Sequence, residues 1–202
     1  MNDTKKTPDP LTDETTFENA LRAVFAHSSK DLTVPILLGV NMVGGRLYAT
    51  DRYTLGIARF LPEVVYTAEE VWLSPQLIRL ILSHKDDPMT SLEADDERIK
   101  VTFESGIVHK VPVGGALDIQ VQKFPPVQRL GDDWLPAEAG QLSFDVEFTK
   151  KFSNTHIKGD PRAVLTFEPG RNGDSGRANR MFRARRVGLN WFVGYVVEIR
   201  VS

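Results

Sequence analysis

Val71-Trp72-Leu73-Ser74-Pro75 and the apolar run behind it, Leu77 to Leu82, decide the fold of this chain. A short β-branched and aromatic strand runs into Ser74 and Pro75, and the missing N–H of Pro75 costs little in a first helical turn. Leu77, Ile78, Leu80, Ile81 and Leu82 then supply a helical core face that stops at His84. After the Asp86-Asp87-Pro88 turn the chain resumes as Thr90-Ser91-Leu92. Further on the same order returns. Leu142-Ser143-Phe144-Asp145-Val146 leads into a second short helix ending near His156, then Gly159-Asp160-Pro161, then Ala163 to Phe167. A partial copy opens the chain as a helix from Phe17 to His27 followed by strands. A supersecondary unit repeated in this way marks a modular architecture.

Working outward, Thr15-Thr16-Phe17-Glu18 reads as a capping box in which the Thr15 hydroxyl bonds the Glu18 amide. Phe17, Leu21, Val24 and Phe25 share one helical face. Val34 to Met42 reads as a strand, Gly44-Gly45 as a hairpin turn into Arg46 to Thr50, and Tyr53 to Phe60 as the next strand. Short strands follow at Leu92 to Ala94, Ile99 to Phe103 and Ile107 to Val111. Phe124 to Pro136 reads as a connector, because its prolines and Gly131-Asp132-Asp133 do not suit a ladder. Pro169 to Gly176 reads as a flexible turn between strands at Ala163 to Phe167, Met181 to Arg186 and Trp191 to Val201. The fold class is α+β, with short helices interrupting antiparallel strands. The expected organisation is a flexible tail over 1–14, a two-module domain over 15–130, a linker over 131–140 and a half domain over 141–202.

Composition narrows the function. Hydrophobic residues make up 41% and charged residues 26%, an ordinary globular balance. No apolar run is long enough to span a bilayer, and no apolar segment follows the polar N-terminus as in a secretory signal, so a cytoplasmic location is expected. The absence of cysteine removes disulfides, thiolate metal sites and cysteine nucleophiles. The four histidines are scattered, so neither a metal nor a cofactor is expected. The net charge of −2 divides unevenly: residues from Gln141 onward carry +5 and the rest −7. Such a basic end permits contact with a polyanion on one face, although a solvated strand surface carries the same charges.

Val34-Pro35-Ile36-Leu37, Gly39 and Leu47-Tyr48-Ala49-Thr50-Asp51-Arg52-Tyr53-Thr54-Leu55 together resemble the middle domain of the bacterial DNA polymerase III β subunit, the sliding clamp. Val71 to Pro75 is similar to that domain's next strand and helix, and Phe124-Pro125 with Arg129-Leu130 to its exit. Tyr195 to Val201 resembles the clamp's last strand. The resemblance covers nearly everything from Thr16 onward and implies the DNA-clamp fold. It comprises the middle domain and the later half of the last domain. The parts through which the family's ring closes have no counterpart, so closure by the usual contact is not expected.

The resemblance implies a function without chemistry: a processivity factor that holds duplex DNA without reading sequence and tethers a polymerase or other replication protein by a short peptide. It implies a peptide cleft lined by Leu37, Thr50, Arg52, Tyr53, Leu55, Pro125, Arg129 and Leu130, faced by Phe148, Val197, Ile199 and Arg200. Each buried apolar anchor there is worth roughly 1.5–3 kcal/mol before ordering costs. Helix residues Arg22, Arg79, Lys85, Lys150, Lys151 and Lys158 are the implied DNA-facing charges. Each could equally be an ordinary solvated cation. A homo-oligomer is expected, four chains if twelve modules make a ring. A non-encircling adaptor or decoy that keeps the cleft is the alternative. A trypsin-like protease is the remote one, resting on Gly173-Asp174-Ser175-Gly176 with His27 as base, a segment that turn chemistry alone explains.

Overall fold

A computed structural model describes residues 11–61, 65–67, 69–113, 123–127, 134–136, 145, 147–152, 165–172, 180–186 and 188–197. Helix α1 (Phe17–Phe25) precedes a 3₁₀ turn (Pro35–Leu38) and the strands β1 (Val40–Val43), β2 (Arg46–Thr50) and β3 (Thr54–Arg59). Next come β4 (Val65–Tyr66), β5 (Glu70–Leu73), helix α2 (Pro75–Ser83), β6 (Met89–Ala94), β7 (Arg98–Phe103) and β8 (Val108–Pro112). The rest is β9 (Trp134–Pro136), the short helix α3 (Glu147–Lys151), β10 (Leu165–Asn172), β11 (Arg180–Arg186) and β12 (Leu189–Val197).

Eight strands form one antiparallel sheet in the order β5-β1-β2-β3-β12-β11-β10-β9. The order jumps from β3 to β12, so the last of the described strands closes onto the early hairpin. At that seam Phe192 pairs with Ala58, Gly194 with Gly56 and Val196 with Thr54. A four-stranded sheet, β4-β6-β7-β8, stands beside it, with β4 parallel to β6. The turn between β1 and β2 is made by Gly44 and Gly45 at φ 55° and 77°. Positive φ at both central residues matches strand twist in a two-residue hairpin.

Strand alternation sorts the large sheet into two faces. One face presents Leu47, Ala49, Ala58, Phe192 and Val196 to the helices, where Phe17, Leu21, Val24, Leu77, Ile78 and Ile81 complete the main core. The opposite face presents Tyr48, Leu55, Ile57, Met181, Val193 and Tyr195. Leu11 and Val127 cover it, and Leu11 is only 1% exposed.

Several sequence expectations need correction. The N-cap of α1 is Thr16, whose hydroxyl accepts from the Asn19 amide at 3.3 Å. Glu18 instead accepts from the Met89 backbone amide at 2.9 Å, tying α1 to β6. Residues 11–14, read as part of a loose tail, are docked together with Thr15. The Thr12 and Asp13 amides both donate to the Asn190 carbonyl, Glu14 pairs with Arg59 at 2.9 Å, and Thr15 bridges to Phe60. Pro35 to Leu38 is a 3₁₀ turn and not strand, since Pro35 fixes φ and removes a ladder donor. Trp134–Pro136 is a strand inside the supposed connector, tolerated because it lies at the sheet edge. The supposed turn at Pro169 lies inside β10, one residue before pairing with β9 begins at Gly170. Ser74 caps α2: its hydroxyl accepts from the Leu77 amide at 3.2 Å.

Candidate nucleic-acid and peptide interface

The turn between β2 and β3 is built by its own side chains. The Thr50 hydroxyl donates to the Thr54 carbonyl at 2.7 Å and accepts from the Arg52 amide at 3.1 Å. Asp51 Oδ1 accepts from the Tyr53 amide at 3.1 Å, the Thr54 amide at 2.7 Å and the Thr54 hydroxyl at 2.9 Å. Short polar side chains that satisfy nearby amides are what organise a tight turn. Arg52 takes φ 82°, a left-handed conformation that costs a non-glycine residue about 1 kcal/mol. Its guanidinium lies 4.0 Å from Asp31, a carboxylate held in place by the Thr33 amide and hydroxyl.

This turn docks on α3 across the seam. The second Asp51 oxygen accepts from Lys151, whose ammonium also reaches the Thr54 hydroxyl at 3.3 Å. Burial pushes the Asp51 carboxyl up, but the Lys151 ammonium and the Thr54 donors outweigh it and hold the group below its ordinary range. Tyr53 lies nearly parallel to Phe148, with ring centroids 6.0 Å apart and planes at 18°. The Val197 amide donates to the Tyr53 carbonyl at 2.9 Å, joining the seam to the same turn.

Beneath the turn is a feature with no sequence signature. Gly56 and Gly194 face each other across the seam and leave a trough on the helix side. His27, just beyond α1, fills one half, and a Cβ on Gly56 would sit 2.7 Å from its ring. Phe152, just beyond α3, fills the other half, and a Cβ on Gly194 would sit 2.2 Å from that ring. The two rings meet edge to face with centroids 4.9 Å apart. Both His27 ring nitrogens are buried with no hydrogen-bond partner among the described residues. Burial first, and then the nearby Lys151 charge, lower the imidazole from 6.5 to about 3, so the ring is neutral. A buried base so hard to protonate does not serve a hydrolase at neutral pH, which removes His27 from the protease reading.

An open hollow of about 1250 Å³ lies between α1, α2, the loop after α1, the β2–β3 turn and α3. It brings together Arg52, Tyr53 and Phe148 from the expected cleft with Arg22, Arg79, Lys150 and Lys151 from the expected DNA-facing set. Within it Lys150 pairs with Glu147 at 2.6 Å. Lys85 is exposed just beyond α2, outside the hollow's lining. Leu55 and Leu37 are elsewhere, each 3% exposed: Leu55 on the opposite sheet face, Leu37 in a small cluster with Ile36 and Trp72. Thr50 is buried in the turn, and Pro125 sits two residues before Val127 in the segment covering that opposite face. Arg129, Leu130, Lys158, Ile199, Arg200 and the Ser175 segment lie outside the described residues. Lys30 and the exposed Leu32 also line the hollow and were not anticipated. The polar run Ser28-Ser29-Lys30-Asp31 signals a helix stop, not a site.

No protein-family model matches the sequence, and no curated protein does. Among solved structures, the DNA polymerase III β subunit of Thermotoga maritima superposes with a TM-score of 0.58 at 15% identity, covering 92% of this chain and 63% of that one. The fold is that of the bacterial sliding clamp. The Bacillus subtilis sliding clamp matches at TM-score 0.54 and 13% identity, over 92% of this chain and 62% of that one. The β subunit of Borrelia burgdorferi, solved with a natural product, matches at 0.55 and 9%, over 92% and 61%. This chain therefore spans less than two thirds of each of these sliding clamps. What they share with it is the clamp arrangement of antiparallel sheets with short helices on one face.

Proposed function

We propose that this protein is a clamp-like tether with no catalytic chemistry of its own. It associates with duplex DNA through the helix face and holds a replication protein by a short peptide at the seam between its two units. The units are residues 15–130 and 141–202, joined by a linker at 131–140. The observation that carries the reading is the β3–β12 seam, where the Asp51-Arg52-Tyr53 turn docks on α3 under an open, cation-rich hollow. Arg22 and Arg79 project from α1 and α2 beside it, both exposed. Backbone-directed charge of this kind suits a protein that must not stop at a sequence. Of the twelve cleft residues named from sequence, the exposed Arg52 and Tyr53 and the half-buried Phe148 are the proposed contact points for the peptide, whereas Leu37, Thr50 and Leu55 are buried and do not line the hollow. Tethering acts through effective concentration, so micromolar affinity for an isolated peptide, about −8 kcal/mol, suffices.

Encirclement is tested on nicked circular DNA. A ring stays bound to the circle and is released when the circle is linearised. Equal retention on both forms would leave a non-encircling adaptor. Light scattering supplies the companion measurement: a multimer is expected, and a monomer at working concentration removes the ring.

A further inference from the structure

The hollow beside the seam carries more than a peptide path or a duplex track requires. Among the described residues, six cations and three carboxylates line it. All three carboxylates are engaged: Asp31 faces Arg52, Asp51 binds Lys151 and Glu147 binds Lys150. Arg22, Lys30 and Arg79 are left with no carboxylate partner among the described residues. Against this charge stands one exposed aromatic ring. Tyr53 is 57% exposed and backed by Phe148 in a near-parallel stack. Arg52, the neighbouring residue in a left-handed conformation, lines the same hollow.

The geometry points to a binding site for unpaired nucleotides, with a base stacked on Tyr53 and the flanking phosphates held by Arg22, Lys30 and Arg79. An aromatic platform ringed by cations is the combination that binds single strands without sequence preference, because every base has a π-face and every nucleotide a phosphate. A duplex uses the cations but hides its base faces in the stack, so it has no use for an exposed ring. An acidic peptide uses the charges but not a flat platform beside them. The volume of about 1250 Å³ exceeds the roughly 300–1,000 Å³ of a small-molecule pocket and suits a segment of polymer. The inference does not depend on a ring, since a short oligonucleotide cannot be encircled.

The test is fluorescence anisotropy of a short labelled oligothymidylate with the full chain. Binding is expected to weaken with salt at a log–log slope of about −2, from three phosphates on a single strand. An abasic strand of the same length should bind about five-fold or more weakly, and Tyr53→Ala should lower affinity for the thymidylate by a similar factor. Tyr53→Phe keeps the ring and should bind like the parent, while Arg22→Gln with Arg79→Gln should flatten the salt slope. Equal affinity for abasic and thymidylate strands would overturn the proposal. So would unchanged binding by Tyr53→Ala, or a polyglutamate peptide of matched charge that binds as tightly. Plasmid retention reads encirclement alone, so the two readings can fail separately.

Discussion

At the scale of single residues, two positions carry costs whose reasons lie elsewhere. His27 is a neutral imidazole sealed between Phe152, Phe192 and Gly56, with Lys151 close by. Its pKa of about 3 in the fold lies below the 6.5 of an unfolded chain, so the unfolded state binds the extra proton between those values. The stability this group contributes is complete above about pH 6.5 and is lost as pH falls towards 3. From this group alone, a loss of about 2 kcal/mol at pH 5 is expected. Urea midpoints of the parent and His27→Leu across pH 5 to 7 check it: the variant should show the shallower slope, and parallel slopes would contradict the burial argument. Arg52 is the second position. Its positive φ favours glycine, so Arg52→Gly should raise stability by up to about 1 kcal/mol while weakening nucleic-acid binding. A variant that is less stable would show that the Arg52–Asp31 contact matters more than the backbone.

At the scale of elements, the segment before α1 acts as a strap. Leu11 is the buried anchor, Thr12 and Asp13 share one carbonyl of β12, and Glu14 reaches Arg59 of β3. It thus holds the strands on both sides of the seam. Leu11→Ala should cost about 2 kcal/mol or more, the range for losing a buried leucine, whereas a tail that merely rests on the surface would lose almost nothing. Denaturant titration separates the two outcomes. The strap was not legible in the sequence, because a polar stretch holding Pro8, Pro10 and one leucine has the composition of a loose end. Helix α2 was legible for the opposite reason: Pro75 and its apolar run specify the same start and face.

At the scale of the whole molecule, the early and late parts of the described chain share one sheet and one core. Phe152, Phe182, Phe192 and Val196 from the later strands and helix share a core cluster with Phe17, Leu21 and Leu77 from the early helices. Unfolding in urea should therefore be a single transition by both tryptophan fluorescence and far-ultraviolet circular dichroism. Two separated transitions would mean the units are only adjacent. The Asp51–Lys151 pair crosses the seam with little exposure, so a double-mutant cycle with Asp51→Asn and Lys151→Met should give a coupling of about 1 kcal/mol or more. No measurable coupling would mark the pair as a surface contact.

Local signals were enough for the modules. The Gly44-Gly45 turn, strand alternation and the repeated strand–helix order each act within a few residues, so the sequence alone determined most elements and the α+β class, and the resemblance of its motifs to the sliding clamp supplied the rest. The seam is another matter. That Gly56 would meet Gly194, that His27 and Phe152 would fill the gap between them, and that Asp51 would find Lys151 depend on residues far apart in the chain. Tertiary structure also left Tyr53 in the hollow while Leu55 faces the far side of the sheet: Tyr53 lies in the β2–β3 turn, before β3 begins at Thr54, so the strand alternation that orients Leu55 does not reach it, and only the docking of β12 decides what each face meets.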